Sequence, residues 1–407
     1  MIHLKNNQFE GAEGRKSLFD LHIPENWNGK LIVFLHGFMG YKDWGAWNLV
    51  SQFFTREGYA FAKYNVSHNG CTINEPTVFA DLDAFAENTY SKELEDLDRF
   101  LNVLAGRFEG WPETTLIGHS RGGGIALLMS HDERIDKVIS WAAIASIGNR
   151  FPKNEALDQW KKDGVRTIQN GRTQQDMPMN FVQFEDFTQN RKRLNIEFFC
   201  RTSNKPTLVI HGADDSSVKP AEGERIAEWL QTELVLIPET GHTFDSKEPW
   251  TENELPAKLK EVCQKSLEFV NEPINHALLS KQSMIADLIK MAKSDDEFKD
   301  AEFHFLHTLA KQLGLSTDDF KLLFERYIAF NPPKLEVDRI VQFQRLVLLM
   351  SVDREIDESE LNYIRTIGIR MGLHPGATEE VLRVMREYEN NVVPPDRLIN
   401  IFKTFHN

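Results

Sequence analysis

Thr114-Thr115-Leu116-Ile117-Gly118-His119-Ser120-Arg121-Gly122-Gly123-Gly124 is the stretch on which the fold turns. β-Branched and aliphatic residues run straight into a serine set between glycines, and a helical pattern over 122–130 follows at once. A G-x-S-x-G pentapeptide found anywhere is weak evidence. Between a strand and a helix it describes a sharp turn whose small flanking residues avoid clashes and leave the Ser120 hydroxyl exposed. Gly122, Gly123 and Gly124 also let the helix pack closely against neighbouring strands.

Outward from this turn, short β-rich runs alternate with helical patterns. Residues 17–23, 31–35, 59–66, 137–143, 207–210 and 234–237 read as strands, and 47–56, 91–108, 221–230 and about 255–270 as helices. The run Leu31-Ile32-Val33-Phe34-Leu35 is apolar throughout, as a strand covered on both faces requires. Over 91–108, Leu94, Leu97, Phe100, Leu101 and Leu104 share one helix face. The alternation predicts an α/β fold: a mostly parallel sheet with helices on both faces. Residues about 146–204 interrupt it with polar, irregular sequence carrying Phe151, Trp160, Phe181, Phe184, Phe187, Phe198 and Phe199. That length exceeds a simple connection, so the segment is expected to form a short cap over the sheet's carboxyl edge.

Beyond residue 272 strand signals vanish, and about 278–407 is expected to form a separate all-α bundle. Gly314 followed by Ser316-Thr317-Asp318-Asp319 marks one helix stop and the next start, and Pro332-Pro333 and Pro375-Gly376 punctuate later ones. An internal repeat runs through this region. Asp295-Asp296-Glu297-Phe298, Glu302-Phe303, Leu306, Thr308-Leu309 and Leu313-Gly314-Leu315 are matched at one constant offset. The second copy reads Asp353-Arg354-Glu355-Ile356, Glu360-Leu361, Ile364, Thr366-Ile367 and Met371-Gly372-Leu373. Two copies of a helical pair would bury a shared core.

A serine hydroxyl is a poor nucleophile at neutral pH, and it needs a base held by a third group. Behind a G-x-S-x-G turn these follow in the order Ser, Asp, His. Thr207-Leu208-Val209-Ile210 runs into His211-Gly212-Ala213-Asp214-Asp215, and Leu234-Val235-Leu236-Ile237 into Pro238-Glu239-Thr240-Gly241-His242. Both turns sit at the carboxyl ends of strands, where open α/β sheets place their sites. His242 is therefore the candidate base, with Asp214 or Asp215 holding its ring. Backbone N–H groups of Arg121 and of Phe38, in the loop after strand 31–35, are the candidate oxyanion donors, each worth ~3 kcal/mol in the transition state. His36, His211, His119, His68 and His131 read as hydrogen-bonded structural residues. Trp44, Phe151 and Trp160 are candidate pocket walls, although aromatic side chains are more often core.

These motifs resemble the α/β-hydrolase superfamily over about residues 1–272: His36-Gly37-Phe38, the turn at Gly118–Gly122, His211–Val218 and Gly241-His242-Thr243-Phe244 stand in its order. In its H-G-x-x-D-x-x-V pattern the acid aligns with Asp215, which makes Ser120, His242 and Asp215 the implied triad. Gly40–Trp44 and Tyr64–Gly70 are similar to the esterase and feruloyl-esterase-like branch. Dienelactone hydrolases usually carry Cys at the turn, so Ser120 favours ordinary esters. The implied activity is hydrolysis of a small-molecule carboxylic ester through an acyl-enzyme, without a cofactor, with activity rising with pH as the imidazole loses its proton. The C-terminal region resembles TerB-like domains of the tellurite-resistance family, on Ala292–Glu302 and Asp353–Glu360. That resemblance implies stress-related roles, a protein partner docked on the helices, and metal binding through Asp295, Glu297, Asp353 and Glu355 as oxygen ligands. Acidic residues at helix starts stabilise the helix dipole without any ligand, and that is the reading adopted for them.

The 407 residues exceed one comfortable core and suggest two domains. A formal net charge of −14 argues against a non-specific grip on nucleic acid or anionic lipid. No apolar run reaches the roughly 20 residues needed to span a bilayer, and 1–16 lack a signal-peptide pattern. Cys71, Cys200 and Cys263 are scattered, as in a reduced, cytoplasmic protein. The rivals to an esterase are a serine peptidase, an acyltransferase or thioesterase on the same residues, and a non-catalytic adaptor.

Overall fold

The computed structural model describes residues 2–293, 300–325, 332–333, 335–350, 358–388 and 393–405. The chain divides into two compact units, Met1–Ile274 and Asn275–Asn407.

The first unit is built on ten strands: β1 (Ile2–Glu10), β2 (Lys16–Ile23), β3 (Lys30–Leu35), β4 (Ala60–Tyr64), β5 (Glu113–His119), β6 (Lys137–Trp141), β7 (Val165–Gln169), β8 (Asp176–Asn180), β9 (Thr207–Gly212) and β10 (Leu234–Ile237). Eight of them form one sheet in the order β1-β2-β4-β3-β5-β6-β9-β10. Pairing is antiparallel from β1 to β4 by way of β2 and parallel from β4 onward. Nine helices accompany the strands: α1 (Trp47–Arg56), α2 (Leu82–Ala86), α3 (Tyr90–Ala105), α4 (Arg121–Leu128), α5 (Glu155–Asp163), α6 (Val182–Gln189), α7 (Ile196–Thr202), α8 (Pro220–Leu230) and α9 (Ala257–Asn271).

The alternation along β3 shows why its sequence is apolar throughout. Leu31, Val33 and Leu35 pack into the core beneath α3, α4 and α8, while Ile32 and Phe34 pack into the core beneath α1 and α9. Each such fully buried side chain contributes ~1.5–3 kcal/mol. No polar position survives between two cores.

Two expectations need correction. Strand β1 has no counterpart in the sequence reading, because this edge strand buries only Phe9 and its other residues are half-buried or exposed. The cap is not irregular. It folds as α5, the antiparallel hairpin β7–β8, α6 and α7.

The second unit is helical: α10 (His276–Ala292), α11 (Asp300–Gln312), α12 (Thr317–Glu325), α13 (Glu336–Met350), α14 (Glu358–Arg370), α15 (Pro375–Met385) and α16 (Pro395–Thr404). The repeat extends beyond a helical pair: α10–α12 and α13–α15 correspond. Matched positions are buried together, as in Ile285 and Phe343, Leu288 and Leu346, Leu309 and Ile367, Leu313 and Met371. Gly314 and Gly372 end α11 and α14 with φ of +83° and +70°, the left-handed stop that glycine adopts without strain. Asp319 N–H donates to Ser316 Oγ and Ser316 N–H to Asp319 Oδ2, a reciprocal cap on α12. Asp295, Glu297, Asp353 and Glu355 lie outside the described residues. Among the described residues, no helix is long and apolar enough to cross a membrane.

Candidate active site

Ser120 stands between β5 and α4 with φ +56° and ψ −118°, a left-handed conformation rare for a residue with a side chain. The turn survives because its flanks cannot carry side chains. A Cβ on Gly118 would lie 2.3 Å from Gly122 O, and one on Gly122 would lie 2.5 Å from His36 O. The Ser120 N–H is held by Trp141 O at 2.8 Å. Local strain of this kind persists only where its surroundings determine it.

Three side chains from separate strand ends converge here. His242 Nε2 accepts from Ser120 Oγ at 2.8 Å, and His242 Nδ1–H donates to Asp215 Oδ2 at 2.7 Å. Asp215 follows β9 and is fully buried, its Oδ1 accepting from the N–H groups of Ser217 and Val218 at 2.8 and 2.9 Å. Burial alone would raise its pKa. The hydrogen bonds from His211 and His242 overcome that and hold the carboxyl below the usual carboxylate range. Asp214 is exposed, and its backbone N–H bonds Thr240 O. The carboxylate that reaches the ring is thus Asp215. His242 follows β10, on a loop pinned by Phe244, which is buried against Trp141.

Two further histidines at strand ends, His36 and His119, stay neutral and structural. Burial lowers His36 to about 4; its Nδ1–H donates to Gly37 O while its Nε2 accepts from Val66 N–H. Burial likewise lowers His119 to about 3, and its Nε2–H donates to the His242 carbonyl at 2.9 Å, which fixes the backbone of the candidate base's own loop.

Phe38 and Arg121, the candidate oxyanion donors, both line the cavity beside Ser120. Arg121 opens α4, so its N–H is one of the first-turn groups without an intrahelical acceptor. The His36–Phe38 loop lies against the turn, with a Cβ on Gly37 only 3.0 Å from Ser120 Cβ. Beneath that loop, Lys42 and Lys63 interleave with Asp20 and Asp43 in a buried ion-pair quartet, and Lys42 N–H donates to Asn65 Oδ1.

A cavity of about 330 Å³ opens beside Ser120 and His242, between the sheet edge and the cap. Phe151 lines it, as do Tyr90, Ile168 and Met179. Two of the expected walls do not. Trp44 packs on Trp47 towards the other core, with ring centroids 5.7 Å apart. Trp160 is buried behind Phe151, and its Nε1–H donates to Met179 O at 2.8 Å. The cap thus uses Trp160 as its own core.

The model of the alpha/beta hydrolase family matches residues 32–252, more than half of the sequence. The chain belongs to the alpha/beta hydrolase family. Among solved structures, it is similar to a putative hydrolase from Agrobacterium vitis, with 15% identity over 66% of this chain and 99% of that one and a TM-score of 0.51. Est1E from Butyrivibrio proteoclasticus shares 17% identity over 66% of this chain and 99% of its own, with a TM-score of 0.49. Mouse alpha/beta hydrolase domain-containing protein 10 shares 16% over 65% and 98%, with a TM-score of 0.48. No curated protein sequence matches the chain.

The hydrolase site also contains residues that the sequence reading passed over. Arg150 and Arg166 line the cavity together with the side chain of Arg121. Arg121 is buried, ion-paired with Glu93 at 2.7 Å and 3.7 Å from the Tyr90 ring centroid. A signal for the cap hairpin was present: Asn170 opens a polar turn, its Oδ1 accepting from the N–H groups of Arg172 and Thr173 at 3.0 and 3.2 Å, and in β7 the period-two pattern turns Arg166 and Ile168 inward.

Proposed function

We propose that the hydrolase cleaves carboxylic esters by a serine mechanism. What carries this reading is His242, hydrogen-bonded on one side to Ser120 and on the other to a buried, ionised Asp215. Ser120 Oγ attacks the ester carbonyl as His242 Nε2 takes its proton. Asp215 keeps Nδ1 protonated and stabilises the imidazolium. The Phe38 and Arg121 N–H groups receive the oxyanion. Collapse breaks the bond to the alcohol oxygen, which leaves with the proton from Nε2, and Ser120 remains acylated. Water then attacks the acyl carbonyl, gives a proton to Nε2, and the acid departs as the proton returns to Oγ.

A fluorophosphonate probe followed by peptide mapping, with p-nitrophenyl esters of graded chain length, tests the assignment. Label is expected on Ser120, with ester turnover falling by on the order of 10⁶-fold in Ser120→Ala or His242→Ala. Absence of both label and turnover in the wild type would return the chain to the adaptor reading, and cleavage of amide analogues would favour a peptidase.

A further inference from the structure

The charge in the cavity wall is unbalanced. Its lining includes three guanidinium groups, Arg121, Arg150 and Arg166, and no carboxylate. Arg121 is paired with Glu93 and Arg150 with Glu222. Arg166 has no acidic partner among the described residues. It lies 4.5 Å over the Trp160 ring, and its Nη2 reaches only Arg150 O and Met179 Sδ, at 3.5 and 3.6 Å. The Nε atoms of Arg150 and Arg166 are buried without a hydrogen-bond acceptor. Of the three guanidinium groups, Arg166 alone is left without a carboxylate beside it, in a protein whose net charge is −14. Burying an uncompensated guanidinium costs free energy unless something pairs with it.

We propose that the substrate is an ester bearing a single carboxylate remote from the scissile bond, and that Arg166 binds that carboxylate. The inference rests on the ester-hydrolase reading of Ser120. A planar guanidinium offers two parallel N–H donors to a carboxylate, a match that a neutral ester cannot exploit. The cap is what presents it: β7 turns Arg166 inward beside Ile168, and Trp160 holds its plane. Desolvation lowers the pKa of Arg166, as expected of a half-buried cation without a counter-ion. One charge left over fits a monoanion rather than a polyanion, and the small cavity fits a compact one.

Two matched substrate pairs read this out: p-nitrophenyl butyrate against mono-p-nitrophenyl glutarate, with the carboxylate on the acid side, and phenyl acetate against 4-acetoxybenzoate, with it on the alcohol side. The wild type should favour the carboxylated member of one pair by about 10- to 100-fold in kcat/KM, mostly through KM. In Arg166→Gln that ratio should collapse towards one, and Arg166→Lys should restore part of it; a merely structural role would lower both members alike. Calorimetry of monomethyl glutarate and 4-hydroxybenzoate with Ser120→Ala supplies a readout independent of turnover, with heat expected for at least one anion and lost on adding Arg166→Gln. Anion binding without hydrolysis of any ester would remove the ester reading and leave the anion site standing. Ester turnover with no carboxylate preference in either pair and no heat from either anion would overturn the proposal.

Discussion

The sheet edge and the cap meet around one cavity, yet they place their residues by different means. At the edge, Ser120, Asp215 and His242 each follow a parallel strand within a few residues, so strand order and tight turns deliver them to one point. In the cap, Phe151 comes from a loop and Arg166 and Met179 from β7 and β8, and their positions depend on packing around buried Trp160. Positions close to a regular element inherit its geometry, whereas positions on an insertion inherit only what their own small core enforces.

The largest effect should fall on the sheet edge. Asp215→Asn leaves the imidazole in the wrong tautomer and is expected to lower kcat on the order of 10⁴-fold. Asp214→Asn, an exposed change, should stay within about twofold. Equal losses in the two variants, measured on the same ester, would break the account of the turn after β9.

In the cap, Trp160→Ala should cost about 3–5 kcal/mol locally, the usual range for deleting a buried aromatic side chain. Amide exchange over β7 and β8 should accelerate while β5 and α4 stay protected, and fluorophosphonate should still label Ser120. Protection lost uniformly over both regions would show that cap and sheet edge form one cooperative unit.

The smallest effect concerns the quartet below the Phe38 loop. Burial alone would raise Asp20 and Asp43, but Lys63 and Lys42 outweigh it, lowering Asp20 and holding Asp43 at about 2. A folded pKa below the unfolded one stabilises the native state above about pH 4. That stabilisation, about 2 kcal/mol for Asp43, is lost as pH falls through about 2. The difference in urea midpoint between wild type and Asp43→Asn should therefore close on acidification. A gap independent of pH would assign the role of Asp43 to packing.

Much of the edge was legible because its signals are local. The helix 47–56 and the strand 234–237 fall where the sequence pattern put them, and the burial of alternate β3 residues in two cores accounts for an unbroken apolar run. Strand β1 was illegible because an edge strand with a single buried residue leaves almost no hydropathy pattern. The hairpin β7–β8 was legible only through the polar turn that Asn170 opens, since Arg166 facing inward contradicts the usual apolar alternation. Trp44 and Trp160 illustrate the common fate of aromatic residues, which is core rather than wall.

By itself, the sequence determined the layered sheet, the strained serine turn, the order of the three polar residues and the helical repeat, because each depends on residues near one another in the chain. Only the tertiary structure decided that Trp44 and Trp160 are core rather than pocket wall, and that an unpaired guanidinium faces the cavity. Both depend on contacts between distant segments, where burial and partner supply, not local pattern, set the outcome.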